Sequence, residues 1–405
     1  MTVHVIGAGM AGLSAALLLA RAGRPVVLHE AAPEAGGRAR ALPDGTDNGT
    51  HALVGANHAA LRFLDAIGAR ARWIEPEPGG LPVLDLADGR ARRVALSPAG
   101  WRDPARRPDG ASPGGVLALL RLALPGRDRP VAEAFRGHPA LLRGYVEPLT
   151  VAALNTPAAE ASSRRLAAVL RRTAVPGAAR LLVAERGLGP DLVQPALDAI
   201  RSAGGEVRTG HRLRELAVQE GRAAVLRFDR PLHLSGADAV LLATPPWESA
   251  RLLPGLPVPG AHAPILNLHF AHPVPGPVRF LGVLGGLCQW VLTRPAGIAV
   301  TVSAADAEAQ EATDALAPRA WAEIRAAARA FSLPGDWPEA PPPGRAIRER
   351  RATPRHTPGP PPRAPARPLA NAWLAGDWTD PVLPATIDAA IRSGTAAARR
   401  VLAAG

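Results

Sequence analysis

The chain has one cysteine, Cys288, and one tyrosine, Tyr145, among its 405 residues. A lone cysteine makes no intramolecular disulfide, so nothing calls for an oxidising compartment, and its apolar setting between Leu287 and Gln289 reads as core. No CxxC, HExxH or similar cluster occurs, so no metal site is expected. Aromatic residues are only 4% of the chain and the arginines are dispersed, which sets nucleic acid aside as a partner because base stacking needs aromatic platforms. No apolar run reaches the roughly 20 residues that span a bilayer. The first residues already read as a strand, which leaves no room for a cleaved signal, and a cytoplasmic location is expected.

What is abundant is positive charge and glycine. The 47 basic and 35 acidic side chains leave a formal net charge of +12. Two readings follow: attraction to an anionic membrane from its inner face, or a solvated arginine-rich surface without a partner. Val3 to Ile6 is an apolar strand that runs into Gly7-Ala8-Gly9-Met10-Ala11-Gly12 and then an alanine- and leucine-rich helix. In such a loop Gly7 permits the tight turn, Gly9 lets the backbone approach a pyrophosphate, and Gly12 lets helix and strand pack closely. The next strand, Pro25 to Glu30, ends in an acid about 20 residues past the glycines, where ribose hydroxyls need an acceptor. Glu30 would repel a ribose phosphate, so FAD or NAD is expected rather than NADP.

The chain then departs from a dehydrogenase. Gly36, Gly37, Arg38 and Arg40 follow the ribose site, and a guanidinium matches pyrophosphate geometry. Near the other end a strand closes on Gly376-Asp377-Trp378, and a helix starting at Thr386 and Ile387 offers unpaired N–H groups to the pyrimidine edge of a flavin.

These segments together resemble the FAD-dependent amine oxidase and phytoene desaturase superfamily, and FAD is the cofactor that the resemblance implies. It also implies that Asp377 binds the ribityl or pyrophosphate part, and that Leu213 meets the adenine through its backbone. Asp47-Asn48-Gly49-Thr50-His51, Tyr145 to Leu149, Asn155-Thr156-Pro157, Gln289-Trp290-Val291 and Leu383 to Asp388 are similar to the hydroxysqualene dehydroxylases, also labelled squalene-associated desaturases. The stretch from Arg345 to Pro368 departs from that pattern.

The expected fold class is α/β: an FAD-binding Rossmann-type domain, a parallel sheet with helices on its faces, plus a discontinuous α+β substrate domain with a mixed or antiparallel sheet. The first takes residues 1–78, 181–250 and 345–405; the second takes 79–180 and 251–344. Proline-dense Leu333 to Pro368 is expected to be a long extended surface connection. No second GxGxxG unit exists, so the electron donor, unidentified, must reach the flavin by the substrate entrance or through another protein.

The resemblance implies an isoprenoid lipid substrate, hydroxysqualene, reduced to squalene on the route to hopanoids. Hydroxide leaves poorly, so an acid is needed, and Asp47 and His51 are the candidate donors, with Glu147 and Asp388 in reserve. An Asp-Asn-Gly turn is also ordinary turn chemistry. Trp290 and Trp378 are candidates to wall the pocket, and Asn155 and Thr156 to bind the alcohol. Two alternatives remain: an oxidative carotenoid-type desaturase, and a prenyl-lipid carrier that keeps the fold without catalysis.

Overall fold

The computed structural model describes residues 1–124, 126–175 and 177–404. A five-stranded parallel sheet runs in the order Ala372–Leu374, Ala239–Leu242, Val3–Ile6, Val26–His29 and Glu206–Arg208, so its strands come from both ends and the middle of the chain. Parallel strands covered on both faces are apolar throughout, as Val3, Val5 and Leu28 are here, each wholly buried. The Met10–Arg21 helix buries Leu13 and Leu19 against this sheet.

Its partner is the Ile387–Ala404 helix, and the two pack at backbone distance. A Cβ on Gly394 would stand 2.0 Å from the Ala11 carbonyl oxygen, and the Ser14 hydroxyl donates to the Ala11 and Ile391 carbonyls at the same crossing. Gly394→Ala must push apart two helices that both begin at the cofactor loops. We expect a loss of about 1–3 kcal/mol, seen as a lower Tm, with FAD content falling in parallel.

A seven-stranded mixed sheet lies beyond, in the order Gly344–Pro354, His262–Phe270, Gly297–Ser303, Trp290–Arg294, Arg279–Leu284, Leu81–Asp85 and Arg90–Val94. All neighbours are antiparallel except Arg279–Leu284 and Leu81–Asp85. Side chains alternate between its faces. Leu84, Leu281 and Val300 point to the Thr313–Ala330 helix and its Leu316, Trp321 and Ile324. Leu81, Val83 and Phe280 point the other way, toward Tyr145, Leu154 and Leu166 of the helical segments.

One expectation is corrected. Gly344–Pro354 is the edge strand of the large sheet, paired with His262–Phe270, and not a surface connection; it belongs to that sheet although the sequence groups residues 345–405 with the nucleotide sheet. The prolines that suggested a connection bracket the strand, and its arginines suit an edge that must not recruit another strand. The Ser163–Thr173 helix starts where the Ser162 hydroxyl accepts the Arg165 N–H.

Candidate active site

One cavity of about 1000 Å³ runs from the glycine loop of the parallel sheet to the inner face of the mixed sheet. Its nucleotide end is bare backbone. Gly7 has φ +101°, and a Cβ there would stand 2.7 Å from the Ala243 carbonyl oxygen; a Cβ on Gly12 would stand 1.8 Å from that of Gly7. Gly9 and Gly36 form a bridge, and Gly37 lies over Gly9 with φ +59°. No side chain caps the Met10–Arg21 helix, so its first N–H groups are free to face an anion.

The charged groups here are held in place by backbone. Glu30 accepts from the Ala8 N–H at 2.7 Å and the Ala32 N–H at 2.8 Å. Arg38 pairs with Asp377 at 2.6 Å and donates to the Ala352 carbonyl; Arg40 donates to the Gly37 carbonyl at 3.2 Å. The Gly376 N–H donates to the Ser393 hydroxyl, and the Thr386 hydroxyl accepts the Ala389 N–H at the head of the helix that starts with Ile387. Leu213 is buried, its carbonyl accepting from Arg251. Gly7, Gly9, Glu30, Gly37, Arg38, Arg40, Leu213, Gly376, Asp377, Thr386 and Ile387 all line the one cavity, while Gly12 sits behind it at the helix–loop contact. Two helix N-termini, a bare glycine groove, the ribose-type acid Glu30 and an arginine paired with Asp377 make a site that accommodates FAD.

The other end is apolar, walled by Leu81, Val83, Val94, Leu149, Phe280 and Trp290. Trp290 stacks on Phe280 with ring centroids 5.7 Å apart, and Trp378 donates its indole N–H to the Thr244 carbonyl at 3.1 Å. Both line the cavity.

The structure redistributes the polar candidates. Asp47 is not among the lining residues. It is buried, accepts the Leu188 N–H at 2.7 Å and pairs with Arg294 at 3.2 Å, which makes it a tie between distant segments. His51 does line the cavity, but its Nδ1 faces the Gly49 carbonyl at 3.0 Å and must carry the hydrogen. Burial pushes its pKa down, so the ring presents a bare Nε2 and is no acid near neutrality. Asp388 accepts the Ala59 and Ala60 N–H groups and so holds the start of the His58–Ala66 helix. Asn155 lines the cavity with its amide fully engaged, on the Ala263 carbonyl, the Thr353 hydroxyl and the Ala304 N–H. Thr156 lies outside the lining, bonded to the Leu154 carbonyl and the His356 N–H.

Glu147, a reserve candidate from the sequence, stands differently. It lines the cavity, burial pushes its pKa up, and its partner is the Ala158 N–H at 3.2 Å. The chain just before it, Leu142–Val146, winds as a π-turn, and Pro148 just after it has no N–H to give the helical ladder. Asp85, Asp88 and Asp109 also approach one another, but Arg92 and Arg143 pair with them.

Histidines around the cofactor end set an acid limit. His29 contacts His4 at 3.2 Å and His211 at 2.9 Å, and burial followed by these neighbours and Arg208 lowers its pKa to about 3. His356 is also lowered to about 3, chiefly by burial, and its Nε2 accepts the Ala385 N–H just ahead of Thr386. In the folded state these rings stay neutral while the unfolded chain's protonate near 6.5. Stability is therefore full above about pH 6.5 and falls as pH drops toward the folded value, by up to ~1.4 kcal/mol per pH unit for each ring. His356→Gln keeps an acceptor for Ala385 without the titration, so its Tm should fall less steeply than the parent's between pH 7 and 5. Parallel slopes would refute this assignment.

The chain matches the family described as flavin containing amine oxidoreductase over residues 10–402. It is 38% identical to a hydroxysqualene dehydroxylase of Rhodopseudomonas palustris, covering 100% of this chain and 99% of the relative. It is 35% identical to a hydroxysqualene dehydroxylase of Zymomonas mobilis, covering 98% and 97%. Among solved structures, an oxidoreductase from Methanosarcina mazei superposes with a TM-score of 0.72 over 98% of this chain and 99% of that one, at 15% identity. Cyclohexylamine oxidase from Brevibacterium oxydans gives 0.70 over 99% and 98%, at 16% identity. At such identities the superpositions speak for the fold.

Proposed function

The chain belongs to the flavin-containing amine oxidoreductases and, within them, to the hydroxysqualene dehydroxylase family; as an FAD-dependent oxidoreductase of that kind, we propose, it reductively removes the hydroxyl of hydroxysqualene to give squalene. The observation that carries this reading is the Glu147 carboxyl, half-buried in the cavity wall beside Pro148 and Leu149 with its pKa raised by burial. Abstracting hydrogen from a hydrocarbon needs no acid there, whereas expelling water from an alcohol does.

FAD in its reduced form supplies a hydride. Glu30 and the glycine groove would hold its nucleotide half, Arg38 and Asp377 its charged middle, and the N-terminus of the Ile387–Ala404 helix its ring. The apolar end of the cavity takes the isoprenoid chain and excludes water. Glu147, whose pKa burial raises, gives its proton to the substrate hydroxyl. The C–O bond breaks with its electrons on oxygen and water leaves, and the hydride that bound, reduced FAD would supply completes the reduction at the allylic carbon. One alcohol, one proton and one hydride thus become one hydrocarbon and one water. The faces of Trp290 and Phe280 line the path along which positive charge develops. Glu147 regains its proton from solvent, and an external two-electron donor restores the cofactor.

The test is anaerobic. Protein reduced with dithionite is mixed with hydroxysqualene, and flavin absorbance and squalene are followed together. Reoxidation matched by squalene supports the reading. Inert reduced flavin, with the oxidised enzyme desaturating phytoene instead, would replace it by the desaturase.

A further inference from the structure

Among the described residues the exposed large hydrophobic side chains are Leu117, Leu120, Leu124, Val175, Val218 and Val382. All but Val218 surround one helix, Ser163–Thr173. Leu117, Leu120 and Leu124 form the outward stripe of the neighbouring Pro113–Ala123 helix and its last turn, Leu120 and Leu124 being 61% and 65% exposed. The inward side of that helix buries Leu119 in the core that backs the cavity. An outward face normally carries charge, so a leucine stripe there marks a contact surface.

The surface adjoins the cavity. Val175 follows Thr173 by two residues and Val382 directly precedes Leu383, and both Thr173 and Leu383 line the cavity. Arg165 ties the Leu383 carbonyl to the Ser163–Thr173 helix at 2.9 Å, and Arg171 ties that helix to the Ala123 carbonyl at 2.9 Å. Exposed Arg121 lies on the helix that carries the stripe, exposed Arg171 reaches its last residue, Ala123, and exposed Arg127 and Arg129 follow in the chain toward Ser163. Asp128, in their midst, is turned onto the Ser162 hydroxyl and the Arg164 and Gly359 N–H groups.

We propose that this face seats the protein on a bilayer containing anionic phospholipid, the leucines entering the acyl boundary while the arginines meet headgroups, so that the side of the cavity lined by Thr173 and Leu383 faces the lipid. Apolar side chains accompanied by arginines match that surface in both hydrophobicity and charge. No helix among the described residues is long and apolar enough to cross a membrane, so the contact is peripheral. The proposal rests on the lipid-substrate reading for its purpose, but its test does not.

FAD-loaded protein is floated with phosphatidylcholine vesicles and with vesicles of phosphatidylcholine and phosphatidylglycerol. It should bind the second more tightly, and less so as salt rises. Leu120→Asp, at a position outside the cavity, should weaken vesicle binding roughly tenfold or more with Tm and FAD content unchanged. It should slow turnover of substrate embedded in vesicles while leaving detergent-dispersed substrate unaffected. Equal vesicle binding by Leu120→Asp, or none by the parent, overturns the proposal. So does a concentration-dependent dimer of the parent that Leu120→Asp dissociates without any vesicle effect, which would assign the face to a second copy. Vesicle binding that persists beside a total lack of turnover in both formats strikes the proposed reaction and leaves this surface standing.

Discussion

Glu147→Gln is expected to lower kcat by about 10²- to 10⁴-fold, the usual worth of a positioned general acid, with KM nearly unchanged. Glutamine has the same shape and keeps an oxygen for the Ala158 N–H, so the half-buried wall should hold. What it lacks is a proton to give. FAD content and the flavin spectrum should be those of the parent, because Glu147 lies away from the glycine groove. The pH profile separates chemistry from mere packing. An acid must be protonated to act, so parent activity should hold at low pH and fall as pH rises through the elevated pKa that burial gives Glu147. Glu147→Gln should lose that limb. Asp47→Asn is the contrast: it strips Arg294 of its buried partner and should cost several kcal/mol of stability, while folded protein keeps its kcat. Full activity in Glu147→Gln, or a collapse of kcat in well-folded Asp47→Asn, would return the acid to Asp47.

The contrast between those two acids shows where sequence reading stops. Gly7 and Glu30 stood out as candidates because backbone geometry forces their spacing: a pyrophosphate needs glycines at fixed offsets, and a ribose needs an acid at the end of the next strand, whereas Asp377 came from the family resemblance. The parallel and mixed sheets were legible from alternating or uniformly apolar runs. Asp47 was not, since its meaning comes from Arg294 and Leu188, far along the chain. Asn155 likewise reads as a turn residue until the Ala263, Thr353 and Ala304 segments converge on it. Glu147 opens a helix of eight residues, too short for periodicity to say which side is wet. Gly344–Pro354 was missed because an edge strand rich in arginine lacks the apolar alternation by which strands are found.

Arg38→Ala should weaken FAD binding by about 100-fold or more, near 3 kcal/mol, and more than either conservative change at the pair. In the parent, Arg38 spends one donor on the Ala352 carbonyl and one on Asp377, and its remaining N–H groups are available to a pyrophosphate. Removing it takes away that contact and leaves the buried Asp377 carboxylate facing a dianionic ligand. Asp377→Asn removes the repulsion and leaves Arg38 charged, so its loss should be smaller. The double variant, Arg38→Ala with Asp377→Asn, should therefore bind FAD better than Arg38→Ala alone, a sign reversal that simple loss of contacts does not give. Arg38→Lys keeps charge without the planar fork and should fall between parent and alanine. FAD titration of the apoprotein measures all four. Strictly additive losses would mean that the pair is not coupled through the cofactor, and that the 2.6 Å contact positions the loops without neutralising the site.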